Sequence, residues 1–328
     1  MSELLVARLM PACYTLPLQK AVRKLLFRET ASPADVTVRQ EACGYQMELT
    51  HKRKQSPTSS VNSSPELFDS QAAAFDERAG LPDVVCREIA DAVLEIGEVG
   101  AGDLVIEIGP GTGQVGQWFG EPARYVGLDF SARMLKEFER RLGGNLGNRA
   151  LIQADANASW PVADAAARVI FGSRAIHLLN QEHVASEVLR VASLSGAALI
   201  IGRVEREPDS VRARMSREMN ERLRHRGFEG RRGEQQNRKL IEACCRRGAQ
   251  VLEPSPVARW KVTASPQQSL DSWRSIEGLG GLQVSATTRN EILTELEAWA
   301  RDVFGGLDQQ VESEETYVLK GVRVPPAK

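Results

Sequence analysis

Three carboxylates are spaced where three short apolar runs end. Glu107 lies within Leu104–Ile108, and Asp129 and Asp155 fall just after Tyr125–Leu128 and Leu151–Ile152. The first run continues into Gly109-Pro110-Gly111-Thr112-Gly113-Gln114. Alternating glycines let a backbone turn sharply and let a ligand come close where a Cβ would block it. Gly111, Gly113 and Gly116 also match a dinucleotide fingerprint, with Asp129 at the distance of a ribose-binding carboxylate. The sign of the charge separates the two ligands. Pyrophosphate beside Glu107 would be repelled, whereas a sulfonium and an ammonium group would be attracted. At ~6 Å and an effective dielectric of ~20, one unit pair is worth about 3 kcal/mol before screening. The carboxylates therefore favour a sulfonium nucleoside, S-adenosyl-L-methionine, over a dinucleotide. Each aspartate alone could instead be a helix N-cap.

A second group follows the run Val169–Phe171. It reads Ser173-Arg174-Ala175-Ile176-His177. His177 has the chemistry to remove a proton from a hydroxyl or an acidic carbon. It could equally only order its loop. Arg174 could pair with an acidic group on a substrate or sit in a surface salt bridge. His183 and His225 read as ordinary helix residues. The four histidines are far apart and no C-x-x-C or H-x-x-x-H spacing occurs, so no metal site is expected.

The elements that must position these groups alternate. Pro82 opens a helical stretch with Val84, Val85, Ile89, Val93, Leu94 and Ile96 on its apolar positions. The apolar runs named above and Ala197–Ile201 alternate with helical stretches at 131–142 and 182–192. Such alternation predicts a parallel sheet covered on both faces, with ligands outside the carboxyl ends of its strands. Strand signals return at Val257–Val262 and Tyr317–Val324, with a helix near 289–304 between them. Segments 203–250 and 265–310 are expected to be helical insertions that cap the site.

The first 65 residues differ in character. Residues 51–65 are Ser-rich and nearly free of apolar side chains, which marks a boundary between a poorly ordered 1–65 extension and a 66–328 domain. Residues 1–28 mix Leu16, Leu18, Val22, Leu25, Leu26 and Phe27 with Lys20, Arg23 and Lys24. They read as a loose extension or as a basic amphipathic helix for a partner or membrane surface. The net charge of -1 gives no general attraction to nucleic acid or membrane. No apolar run approaches the roughly 18 residues of a spanning helix. Five scattered cysteines, Cys13, Cys43, Cys86, Cys244 and Cys245, read as reduced thiols of a cytoplasmic protein.

Four motifs in order resemble the class I S-adenosylmethionine-dependent methyltransferases of the UbiE or type 11 kind. They are Phe68-Asp69-Ser70-Gln71-Ala72-Ala73-Ala74-Phe75-Asp76, Glu107 to Gly113, Gly127-Leu128-Asp129-Phe130-Ser131 with Met134-Leu135, and Gln153-Ala154-Asp155-Ala156. The resemblance implies a doubly wound, Rossmann-like α/β sheet of seven strands in the order 3-2-1-4-5-7-6. It implies that Gly109, Gly111 and Gly113 hug the methionine part of the cofactor and that Glu107 faces its positive charge. Asp129 would accept from both ribose hydroxyls, and Phe130 and Met134 would pack on the adenine. Asp155 and the Ala156 amide would meet the adenine edge, Ser173 would line the cofactor site, and Phe75 would close over it. The family often carries a histidine where His177 stands, near the transferred methyl group.

The expected activity is methyl transfer to a small-molecule acceptor, with an acidic or carrier-bound acceptor in view through Arg174 and the arginine-rich segment. Residues 203–247 contain fourteen Arg or Lys against eight Asp or Glu, and Arg212, Arg214, Arg217, Arg222, Arg224, Arg226, Arg231 and Arg232 could contact phosphates. That leaves an RNA methyltransferase as an alternative. Against nucleic acid stand the lack of an Asp/Asn-Pro-Pro-Tyr-like loop after the fourth strand, the lack of a Pro-Cys nucleophile, and a single aromatic, Phe228, in the basic stretch. A non-catalytic cofactor-binding regulatory or interaction protein is the other alternative.

Overall fold

The computed structural model describes residues 80–228 and 233–326. The 1–65 extension, the motif Phe68–Asp76 with Phe75, and Arg231 and Arg232 lie outside the described residues. Seven strands make one sheet: β1 (Leu104–Ile108), β2 (Arg124–Asp129), β3 (Arg149–Gln153), β4 (Ala167–Ser173), β5 (Ala197–Arg206), β6 (Gln250–Ala264) and β7 (Val311–Val324). Their order is β3-β2-β1-β4-β5-β7-β6. β1 to β5 are parallel, and β7 lies antiparallel between β5 and β6. This is the doubly wound order that the resemblance implies.

Both faces of the sheet are buried at its central strands, which is why those strands are apolar without a polar alternation. All five residues of β1 are buried. On one face Val105, Tyr125, Phe171 and Ile200 pack under α1 (Asp83–Ile96) and under Phe138 of α2 (Ala132–Arg141). On the other, Ile106, Leu128, Ile170 and Leu199 pack under α3 (Gln181–Val191) and α5 (Gly233–Cys245). The buried residues of α1, Val85, Cys86, Ile89, Ala90 and Val93, recur at helical spacing and form the stripe that meets the sheet. At the opposite margin β6 is an edge strand. Pro254 and Pro256 sit at its register shifts, where proline and a bulge obstruct pairing with a further strand.

A separate core lies beyond the sheet. Val211, Met215, Met219 and Leu223 of α4 (Val211–His225) pack with Leu270 of α6 (Pro266–Arg274) and with Ile292, Leu293, Leu296 and Ala300 of α7 (Ala286–Phe304). These three helices follow the carboxyl ends of β5 and β6 and precede β7, so they stand at the edge of the sheet where β1 and β4 also end. Residues 203–250 are therefore not one cap. α4 joins this separate core, whereas Leu240, Ala243 and Cys244 of α5 bury against the sheet beside α3. An apolar stripe calls for burial without naming the partner, and the short link between α5 and β6 keeps α5 on the sheet.

Glu315 of β7 ties α4 to the sheet. It is buried and receives Arg206 of β5 at 2.7 Å and Arg212 of α4 at 3.2 Å. Both arginines are partly exposed, so water and salt discount the pair. Replacing Glu315 by Ala is expected to cost about 1–2 kcal/mol, read as a drop of several degrees in the melting temperature by calorimetry. An unchanged transition would show that this contact does not hold α4.

Candidate functional site

The chain leaves β1 through three glycines with left-handed backbones, φ being 66° at Gly109, 56° at Gly111 and 78° at Gly113. Their surroundings differ. A Cβ on Gly109 would fall 2.4 Å from the Ala175 Cβ, and one on Gly113 would fall 2.0 Å from the Phe138 ring. A Cβ on Gly111 would meet no atom within 4 Å. Gly113 is thus required by packing, and Gly111 faces open space. Gly113→Ala is expected to destabilise the fold by about 2 kcal/mol or more through overlap and backbone strain. Gly111→Ala should cost less stability and instead hinder a ligand; thermal melts with and without S-adenosylhomocysteine separate the two effects.

Gly116, the third glycine of the dinucleotide-like spacing, has another purpose. A Cβ there would fall 2.5 Å from the Tyr125 hydroxyl and 2.7 Å from Glu107 Oε2. It makes room for the hydrogen bond that Tyr125 donates to Glu107, 2.7 Å long. Glu107 is only 2% exposed. Burial pushes its carboxyl up to about 7, the Tyr125 bond opposes this, the nearby negative charge of Asp129 adds to it, and Arg174 offsets part of it. Burial, with Glu107 as neighbour, also holds the Tyr125 phenol well above its usual range, so it stays a donor.

Asp129, at the end of β2, is buried and clasps the loop. Its Oδ2 accepts the Gly111 N–H and its Oδ1 the Ser131 N–H, both at 2.9 Å. The cap of α2 is Ser131, whose Oγ accepts from the Met134 N–H. Asp129 is therefore free of that duty, although α2 starts close by. Asp155 is exposed and accepts the Asn157 N–H at 2.8 Å in a turn that no helix follows.

Glu107, Asp129 and Asp155 line one cavity of about 550 Å³ at the carboxyl ends of β1 to β4. Gly109, Gly111, Phe130, Met134, Ala156 and Ser173 also line it, while Gly113 stands behind the loop. Arg174 is on the wall too, with a left-handed backbone, φ 61°, that a side chain rarely adopts. Its Nη2 lies 3.5 Å from the Gln114 Oε1, which also accepts the Leu81 N–H just before α1. His177 is half-buried in the short 3-10 turn Ile176–Leu178 and is not among the lining residues; its Cβ stands 3.8 Å from where a Cβ on Gly233 would be, at the start of α5.

Sequence reading missed three polar neighbours of this site. Gln114 sits in the glycine motif but shows its link to Leu81 and Arg174 only in the fold. Tyr125 begins an apolar run and reads as core. Tyr317 lies far along the chain, yet its hydroxyl is 2.5 Å from Ser173 Oγ.

The described arginines of the basic segment are engaged with neighbours. Arg206 and Arg212 meet Glu315, Arg222 meets Glu218, Arg224 meets Glu221, and Arg226 meets Glu295. Arg217 donates to the Pro208 carbonyl, and Arg214 lies over the Phe304 ring. Among the described residues, Arg214 and Arg226 join α4 to α7, Arg206 and Arg212 join β5 and α4 to β7, and the other contacts are local to α4. No cluster of metal-ligating side chains and no helix long and apolar enough to cross a membrane occurs among the described residues.

Residues 105–196 match a family model described as a methyltransferase domain. No curated protein matches the sequence. Solved structures with a similar course of the chain include the YcgJ protein of Bacillus subtilis, 20% identical over 71% of this chain and 97% of that one, TM-score 0.44. The 4+2 cyclase SpnF is 16% identical over 80% of this chain and 96% of its own, TM-score 0.48. A phosphoethanolamine N-methyltransferase of Haemonchus contortus is 14% identical over 79% and 58%, TM-score 0.44.

Proposed function

We propose that this chain, a class I methyltransferase that uses S-adenosylmethionine, passes the methyl group to a small molecule held between the cofactor cavity and the cap of α4, α6 and α7. The observation that carries this reading is the cavity wall: buried or rim carboxylates at three adjacent strand ends around the apolar Phe130 and Met134. The open space at Gly111, where a Cβ would touch nothing, fits a ligand lying against the loop backbone. The bound cofactor supplies an electrophilic methyl on a positively charged sulfur. In this reading Asp129 accepts from the ribose hydroxyls while keeping the loop clasped, and Phe130 and Met134 hold the adenine. Asp155 and the Ala156 amide meet its edge, and Glu107 faces the positive end.

Methyl transfer is an in-line displacement, and orienting the two reactants supplies much of its acceleration. In this reading α4, α6 and α7, which follow the carboxyl ends of β5 and β6 and precede β7, exclude water and order the acceptor. Arg174 suits an acidic group at the mouth. Among the described residues the cavity wall contains no histidine, so the reading relies on positioning and does not require His177 as a base. The thiols of Cys86, Cys244 and Cys245 are unbridged, which fits a reducing compartment, and we place the protein in the cytoplasm. Incubation with methyl-labelled cofactor and cell extract, followed by identification of the labelled product, tests the acceptor class. Label in metabolites supports the reading; label confined to RNA or protein overturns it.

A further inference from the structure

Tyr317 on β7 is fully buried, and its hydroxyl reaches Ser173 Oγ on β4, two strands away. It crosses β5 at Gly202, the residue that pairs with Ser173. A Cβ on Gly202 would fall 2.2 Å from the Tyr317 hydroxyl oxygen, so the crossing needs a glycine there. Ser173 lines the cavity beside Arg174.

A buried phenol must place its proton. Among the described residues Ser173 is the hydrogen-bond partner found for the Tyr317 hydroxyl, and burial holds this phenol above its usual range, so it stays protonated. If Ser173 were the donor, the phenol proton would be buried without an acceptor, at a cost of about 1–3 kcal/mol. The phenol therefore donates to Ser173, and the serine proton is left to be offered to the cavity.

We propose that Tyr317 is a positioning residue that reaches across Gly202 to fix Ser173 as a hydrogen-bond donor to a ligand carboxylate beside Arg174. The proposal rests on the methyltransferase reading above. Two carboxylates have the same chemistry: the amino-acid tail of the cofactor and an acid group on the acceptor.

Calorimetry with S-adenosylhomocysteine and with 5′-methylthioadenosine, which lacks the tail, distinguishes them. Tyr317→Phe, Ser173→Ala and Gly202→Ala, which displaces the tyrosine, are compared with Ser173→Thr, which keeps a hydroxyl. For the cofactor tail, the first three weaken S-adenosylhomocysteine about three- to tenfold, the size of one lost hydrogen bond. Methylthioadenosine binding stays unchanged, Ser173→Thr stays near wild type, and Tyr317→Phe adds little to Ser173→Ala. For an acceptor carboxylate, both nucleosides bind as in wild type, while labelling of extract falls at low extract concentration and recovers in excess. Equal weakening of both nucleosides, or no change in binding and labelling, overturns the proposal. A wild-type protein that binds neither nucleoside overturns the methyltransferase reading itself, and the proposal with it.

Discussion

Asp129→Ala is expected to weaken S-adenosylhomocysteine about 100-fold. The aspartate holds the Gly111 and Ser131 amides in the structure, and the proposed site adds both ribose hydroxyls to the same carboxylate. Hydrogen bonds to a charged group are worth about 1.5–3 kcal/mol each, and two that share one carboxylate add less than fully. Loss of the clasp also lets the loop leave the geometry in which Gly111 faces the cavity. Asp129→Asn keeps one acceptor oxygen and loses the charge, so it should fall between wild type and alanine. Because methylthioadenosine carries the same ribose, its affinity should fall in parallel. Calorimetric affinities within threefold of wild type for both ligands would refute the ribose assignment.

Glu107→Gln is expected to change stability and affinity in opposite directions. The folded carboxyl is raised to about 7 from the ordinary value of 4.5. Between those values the folded protein holds a proton that the unfolded chain has lost, so this group's contribution to stability is present below about 4.5 and disappears as pH rises to about 7. Its size is about 3 kcal/mol at most. Glutamine avoids the burial of a charge while still accepting from Tyr125, so the ligand-free variant should melt higher than wild type at pH 7.5 and show a smaller gain at pH 5. A cationic cofactor favours the ionised carboxyl. Its affinity for wild type should rise about twentyfold between pH 5.5 and 7.5 and then level off. The variant should bind more weakly, with no such slope. A wild-type affinity that is flat across this range would remove Glu107 from contact with the positive charge.

The parts of the site carried by neighbouring residues were legible before folding. A glycine turn after an apolar run, followed by aspartates at the ends of the next two runs, implies the sign of the ligand charge because covalent neighbours keep those groups at strand ends. Which side chains turn into the cavity was not legible to the same degree. His177 and Arg174 are three residues apart, yet Arg174, with its left-handed backbone, is on the cavity wall while His177, in the 3-10 turn Ile176–Leu178, stands near the start of α5. The basic segment is a second case. Its composition suggested phosphate contacts, but Glu315 and Glu295, about 70 to 110 residues further on, come back to meet its arginines.

By itself the amino-acid sequence determined the alternation of strands and helices, the turn at Gly109 to Gly113 and the acidic character of the strand ends. These depend on local backbone freedom and on the periodicity of apolar side chains. Tertiary structure alone decided that Tyr317 meets Ser173, that Gly116 shelters the Glu107–Tyr125 bond, and that α4 and α5 part company. Each of these follows from β7 being inserted between β5 and β6 or from two layers closing on one another, and such contacts join residues that the chain order holds apart.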